Sequence, residues 1–217
     1  MTISIPSSFS SESAETSSFD GSLDTVKLPQ SPPSRAELAP LLALYQRRNH
    51  PNPAIQFINP NEIPSPYRAL LDHSSNMTPT LEKFCQSKLS LKVFEILHEE
   101  ENQIIDRWIA LKQNNQTTME FGSIRIHLNS LPRSIHSEVI RGVEPFASIL
   151  INAGVRQICQ PSGFFIIQSD EIVREFLNSD ELSASFYGRC NTIESPDGER
   201  IASVVEILPT LNKHQSL

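Results

Sequence analysis

Apolar positions in the first part of the chain recur at helical spacing, whereas later ones mostly alternate. From Glu37 to Arg48 they fall at Leu38, Leu41, Leu42 and Tyr45, which predicts an amphipathic helix. Residues 49–64 are dense in Asn and Pro and predict a loop. A short helix is expected around Tyr67 to Asp72. Thr78-Pro79 has the form of an N-cap with proline at the first helical position, so a helix should run to about Gln86, with Met77 just before its cap.

From Leu89 the period changes. Leu89, Leu91 and Val93 alternate with Ser90 and Lys92, and Ile104 to Leu111 forms a second strand pattern. The polar stretch Lys112 to Thr118 turns the chain into a third strand, Met119 to Leu128. There Ile124, Ile126 and Leu128 share one face, and Arg125, His127 and Asn129 the other, read as solvated. Leu131-Pro132 should open a helix to about Arg141 that Gly142 stops, and Pro145 another through Ile151. Two apolar clusters in 155–168, split by Pro161-Ser162-Gly163, suggest a hairpin, and Asp170 to Leu177 a helix. The last strands, Ser185 to Ile193 and Arg200 to Leu208, are joined through a tight turn at Asp197-Gly198. Consecutive antiparallel strands interrupted by helices define an α+β fold, an antiparallel sheet with helices packed on it. Missing strand–helix alternation, together with the lack of G-x-G-x-x-G or G-x-x-x-x-G-K, excludes a nucleotide-binding α/β domain.

Two charges interrupt this pattern. Glu206 shares a strand face with Ala202, Val204 and Leu208, and the opposite face (Ile201, Ser203, Val205, Ile207) is also mostly apolar. Arg107 shares its face with Ile105, Ile109 and Leu111. A charge inside an interior strand has to be paired or bound to something. Either Arg107 and Glu206 meet as a structural ion pair, or they line a pocket for an anionic, hydroxylated ligand. In the second case guanidinium grips a carboxylate and the glutamate accepts from a hydroxyl.

Bulk properties narrow the field. Residues 1–35 are serine-rich and too poor in apolar side chains to offset ordering entropy, so a disordered tail is expected there, followed by a single domain over 36–217. A net charge of −7 argues against nucleic acid or an anionic membrane surface as partner. Cys85, Cys159 and Cys190 have neither disulfide nor zinc spacing, the six histidines form no H-x-x-x-H or H-x-H pair, and no metal or cofactor is expected. With no membrane-length apolar run and no signal-peptide pattern, a cytoplasmic monomer is the expectation.

From about Leu70 to Pro209 the chain resembles the chorismate pyruvate-lyase family, which makes 4-hydroxybenzoate for quinone rings such as those of ubiquinone and plastoquinone. The pieces occur in the family's order. Asp72-His73-Ser74-Ser75-Asn76-Met77-Thr78 resembles its S-M-T segment, and Leu81-Glu82-Lys83-Phe84 echoes its R-F-E. Arg107-Trp108-Ile109-Ala110-Leu111 resembles R-E-I-L-L, with a following hairpin about one residue longer. Gly142-Val143-Glu144-Pro145-Phe146 resembles G-x-x-P-L-G, Tyr187-Gly188-Arg189 resembles W-G-R, and Val205-Glu206-Ile207-Leu208-Pro209 resembles T-E-L-F-L-P. The resemblance implies that Arg107 holds the ring carboxylate of chorismate. It places Glu206 at the 4-hydroxyl, accepting or relaying a proton, and backbone groups at Met77 and Phe146 against the ligand. Arg189 is a candidate for the pyruvyl carboxylate, or else a partly exposed strand arginine. Loss of pyruvate restores aromaticity, so binding, water exclusion and proton movement suffice. The same fold serves as the effector-sensing domain of bacterial transcription regulators, which need a helix-turn-helix. Residues 1–70 lack two regularly spaced helices, so a binding module ranks below the lyase, beside a catalytically dead ligand carrier.

Overall fold

The computed structural model describes residues 36–211; the serine-rich stretch 1–35, expected to be a disordered tail, and residues 212–217 lie outside the described residues. The chain builds one seven-stranded antiparallel sheet in the order β1-β5-β6-β7-β4-β3-β2. Its strands are β1 Ile55–Ile58, β2 Leu89–Glu99, β3 Ile104–Gln113, β4 Thr117–His127, β5 Ile158–Gln168, β6 Ser185–Glu194 and β7 Arg200–Ile207. The helices are α1 Ala39–Arg47, α2 Tyr67–Leu71, α3 Met77–Cys85, α4 His136–Arg141, α5 Phe146–Asn152 and α6 Glu171–Leu177. This is the expected α+β class.

The central strands β7 and β4 are apolar on both faces because both faces are covered. On one face α1 and α6 pack over Trp108, Phe121, Phe165, Phe186 and Val205, with Leu41, Tyr45 and Phe176 supplied by the helices. Two polar side chains buried at this contact are satisfied. Trp108 Nε1 donates to Pro40 O at 3.1 Å, and Tyr45 donates to Asp170 Oδ2 at 2.6 Å. Asp170 Oδ1 also caps α6 by accepting from Val173 N at 2.8 Å.

The other face carries two apolar clusters. One joins α4 and α5 to Ile105, Ile124, Ile126 and Ile193. The other joins α2 and α3 to Leu111, Phe164 and Leu208. Between these two helix pairs the sheet face remains open, and the charged strand positions fall in that gap.

Four local expectations are corrected. The stretch 49–64, expected to be loop, contains β1, an edge strand too short to show periodicity, pairing Ile55 with Ile167 and Ile58 with Phe164. Residues 155–168 are not a hairpin but belong largely to one strand, β5, with a register shift between Pro161 and Gly163. Pro161 lies past the end of β1, where β5 is itself an edge and a bulge tolerates a missing N–H. Helix α3 is capped at Asn76, which places Met77 inside its first turn instead of before the cap. The face holding Arg125 is not simply solvated, since Arg125 binds buried Asp106 through two bonds of 2.8 and 2.7 Å.

The register beyond the β3–β4 turn is set by a bulge within β4. Glu120 pairs with Leu111 and Thr118 with Lys112, leaving Met119 as the bulged position. Close approach of backbones is needed at Gly188 in β6, where a Cβ would lie 2.4 Å from Phe165 Cζ and 2.7 Å from Glu206 O. Gly188→Ala is therefore expected to lower the unfolding free energy by roughly 2–3 kcal/mol in urea denaturation. An unchanged midpoint would show that β6 and β7 can part without cost.

Candidate functional site

Counting the open solvent at its mouth, the space within the cavity is about 620 Å³. Its floor is the sheet face. Antiparallel register places Asn191, Val204, Ile124 and Arg107 in one row across β6, β7, β4 and β3, and Arg189, Glu206, Gly122 and Ile109 in the next. Its rim is made by the starts of two helices, Asn76-Met77-Thr78 of α3 and Pro145-Phe146-Ala147 of α5.

Arg107, Glu206, Met77 and Phe146 all line this one cavity. Arg107 is 1% exposed, and burial lowers its pKa to about 10, leaving it charged at neutral pH. Its Nη2 donates to Gly142 O at 3.2 Å and Glu144 O at 3.1 Å. Nε and Nη1 have no hydrogen-bond partner among the described residues. Gly142 ends α4 at φ 63°, and a Cβ there would sit 2.4 Å from Ile96 Cδ1 and 3.4 Å from Arg107 Nε. Glycine thus permits both the left-handed turn and the close packing of the guanidinium.

An ion pair does form, with a different arginine. Glu206 Oε2 accepts from Nε of Arg189, its cross-strand neighbour, and the Arg189 side chain is fully buried. The remaining Arg189 donors hold the segment after α2: Nη1 bonds Leu71 O at 2.9 Å and His73 O at 2.8 Å, and Nη2 bonds Ser75 O at 3.3 Å. Arg189 does not line the cavity, so both expectations for it are corrected: it is neither partly exposed nor placed to meet a pyruvyl carboxylate. It is a positioning residue for Glu206 and for the approach to α3. His73 completes this hub. Its Nε2–H donates to Leu70 O at 2.8 Å, while Nδ1 accepts from Ser75 N at 3.1 Å. Burial and the Arg189 charge push its pKa down, in keeping with a neutral ring.

Four polar cavity residues were not anticipated as site residues from sequence: Glu120, Asn191, Asn76 and Thr78. Glu120 is 3% exposed, and its Oε2, like Asn191 Oδ1, has no partner among the described residues. Burial first, and then the Glu206 carboxylate, push Glu120 well above the usual carboxylate range, against the smaller opposing pull of Arg189. Its protonated form is thereby favoured. The rule that singled out Arg107 and Glu206 also marks Glu120, which shares a strand face with Gly122, Ile124 and Ile126. Asn76 is turned away from capping α3, its Oδ1 accepting from Cys159 Sγ at 3.1 Å. No side chain caps that helix N-terminus.

Among the described residues no group of three or more His, Cys, Asp or Glu could hold a metal, and no helix is long and apolar enough to cross a membrane. Cys159 and Cys190 are buried free thiols and Cys85 is half-buried.

Fold and site together define an α+β protein with a buried cavity carrying one unbalanced cation and a carboxyl pair. No protein-family model matches the sequence, and no curated protein matches it. Similar solved structures include PhnF from Mycobacterium smegmatis, at 8% identity and a TM-score of 0.48, covering 63% of this chain and 64% of that one. The effector domain of the same protein gives 9% and 0.48, covering 61% of this chain and 87% of that one. The gene product SA0254 of Staphylococcus aureus gives 8% and 0.46, covering 64% and 90%. The match thus spans just under two thirds of full-length PhnF, and likeness at this level says nothing about ligand or activity.

The two arginines should respond oppositely to truncation. Arg189→Met leaves Glu206 unpaired and three carbonyls without their donor, and should cost roughly 3–5 kcal/mol. Arg107→Met removes a buried charge with few partners and should melt at or above wild type. Equal losses in calorimetry would show that Arg107 is structural.

Glu120 should also leave a pH signature. An acid whose folded pKa is raised contributes stability that is full below its usual value of 4.5 and is lost as pH rises towards the folded value. The unfolding free energy of wild type relative to Glu120→Gln should therefore fall from about pH 4.5 upward; parallel profiles would show that Glu120 ionises normally.

Proposed function

We propose that the cavity binds a hydroxylated ring carboxylate, and that the protein converts chorismate to 4-hydroxybenzoate and pyruvate. The observation that carries this reading is Arg107, buried with Nε and Nη1 unpartnered, in one cavity with Glu206. A buried guanidinium with free donors calls for an anion, and a planar carboxylate matches its fork. Glu206 has its charge balanced by Arg189 and can accept from a neutral hydroxyl without recruiting another cation. Strands β3 and β7 flank β4, so the two groups stand roughly 10 Å apart at their backbones, with a single ring between them.

The reaction needs little beyond this placement. The ring C4–H bond breaks and its electron pair enters the ring. The C3–O bond to the enolpyruvyl group then breaks, and the departing enol takes a proton on its methylene carbon to become pyruvate. One proton leaves and one is taken up, with no oxidation. Arg107 fixes the ring, Glu206 holds the 4-hydroxyl, and the apolar floor of Ile124 and Val204 excludes water. Since Arg189 is committed elsewhere, the pyruvyl carboxylate falls to the uncapped N-terminus of α3, at Met77 and Thr78.

A second reading follows from the same charges. Among the described residues Arg107 is the one cation in the cavity lining, which suits a monocarboxylate such as 4-hydroxybenzoate, held as an effector without turnover.

Purified protein incubated with chorismate should release 4-hydroxybenzoate and pyruvate in equal amounts, and Arg107→Ala should lower the rate at least a hundredfold. Thermal stabilisation by 4-hydroxybenzoate with no product from chorismate would establish the binding module instead. Neither product nor stabilisation would remove both readings.

A further inference from the structure

Glu120 has no role in the function just proposed, yet it reaches the same cavity. Alternation along β4 places it on the cavity face with Gly122 and Ile124. Its neighbour along that face is Gly122, where a methyl group would come within 3.2 Å of Glu120 Oε1 and 2.9 Å of Ile109 Cδ1. The missing side chain therefore leaves the space into which the Glu120 carboxyl leans. Gly122 is also the cross-strand partner of Glu206, and the Glu206 carboxylate is among the charges that act on Glu120. Oε2 of Glu120 is buried with no partner among the described residues.

We propose that Glu120 is a specificity-determining residue, donating a hydrogen bond to the same ligand hydroxyl oxygen from which Glu206 accepts. A hydroxyl is both donor and acceptor, and two carboxyls side by side, one protonated and one ionised, satisfy both capacities. The charged and titratable groups facing Glu120 are Glu206 from β7 and Arg189 from β6, with Arg107 from β3 at the other end of the cavity. The first discourages a second negative charge, and Arg189 is already neutralised by Glu206. An unhydroxylated ring acid would leave both carboxyls without a ligand partner inside the protein, which is how a site rejects an analogue lacking its polar group.

This inference rests on the reading of the cavity as a ring-acid site, and its test separates the two. Affinities of 4-hydroxybenzoate and benzoate are measured by titration calorimetry on the full chain, as wild type, Glu120→Gln and Glu120→Leu. Wild type should prefer the hydroxylated acid. Glu120→Gln, which keeps a donor, should hold that preference within about twofold, and Glu120→Leu should reduce it about fivefold to tenfold with benzoate affinity retained. An undiminished preference in Glu120→Leu overturns the role of Glu120 and leaves the ring-acid reading standing. Failure of both acids to bind wild type removes the ring-acid reading, and this inference with it. Should Glu120→Leu not fold, a Glu120→Gln variant whose preference has collapsed overturns the proposed donation.

Discussion

Arg189 and Glu206 face each other across β6 and β7, both buried, and much of the molecule is arranged around that contact. Neither charge could be buried alone at acceptable cost. Together they leave the guanidinium with donors to spare, and these bind Leu71, His73 and Ser75 carbonyls. The segment between α2 and α3 is thereby fixed above the sheet, which delivers Asn76 and Met77 to the cavity rim. The same contact holds Glu206 at the cavity wall with its charge already balanced. One ion pair places the acid, the helix start and the near wall.

The opposite wall follows similar logic with different chemistry. Arg107 reaches the cavity from β3, and it is restrained by carbonyls of the turn after α4 instead of by a carboxylate. Carbonyl dipoles orient a guanidinium without neutralising it, so its charge stays available to a ligand. Gly142 makes this geometry possible, because a side chain there would strike Ile96 and press on Arg107. Glu206 is thus held by a full opposite charge and Arg107 by dipoles, and this difference gives the site its polarity.

Strands β2 and β4 could be read from period-two alternation, and β3, β6 and β7 as apolar runs bounded by turns. Strand β1 could not, with four residues inside a Pro- and Asn-rich stretch. Strand β5 was obscured by Pro161, whose place past the end of β1 is a tertiary fact. The misplaced charges Arg107 and Glu206 were readable as charges on apolar faces, but their partners were not. Pairing depends on strand order, and β7 lies between β6 and β4, so Glu206 meets Arg189 directly, with Arg107 two strands away. Glu120 carried the same signal as the other two. It was passed over because it stands at the start of the strand, next to a polar turn, where a charge is ordinarily solvated.

The charge count in the cavity bears directly on what it can hold. Arg189 and Glu206 cancel, burial disfavours a second negative charge at Glu120, and Arg107 leaves one positive charge facing the interior. Desolvating that charge is compensated when a single carboxylate enters, which makes a monoanion the electrostatically complete occupant. A dianion brings a second carboxylate that no side-chain cation of the lining can meet. It must therefore lie near the rim, where the uncapped start of α3 offers oriented backbone N–H groups and partial positive charge. Turnover of a dianion into a monoanion and a small keto acid would then carry the site from its less balanced occupancy to its better balanced one. The ring acid would remain in the deep end beside Arg107, and the small acid would depart from the rim. Under the proposed reading, tight retention of the ring acid would follow from that asymmetry, and product release would be the slow event of the cycle.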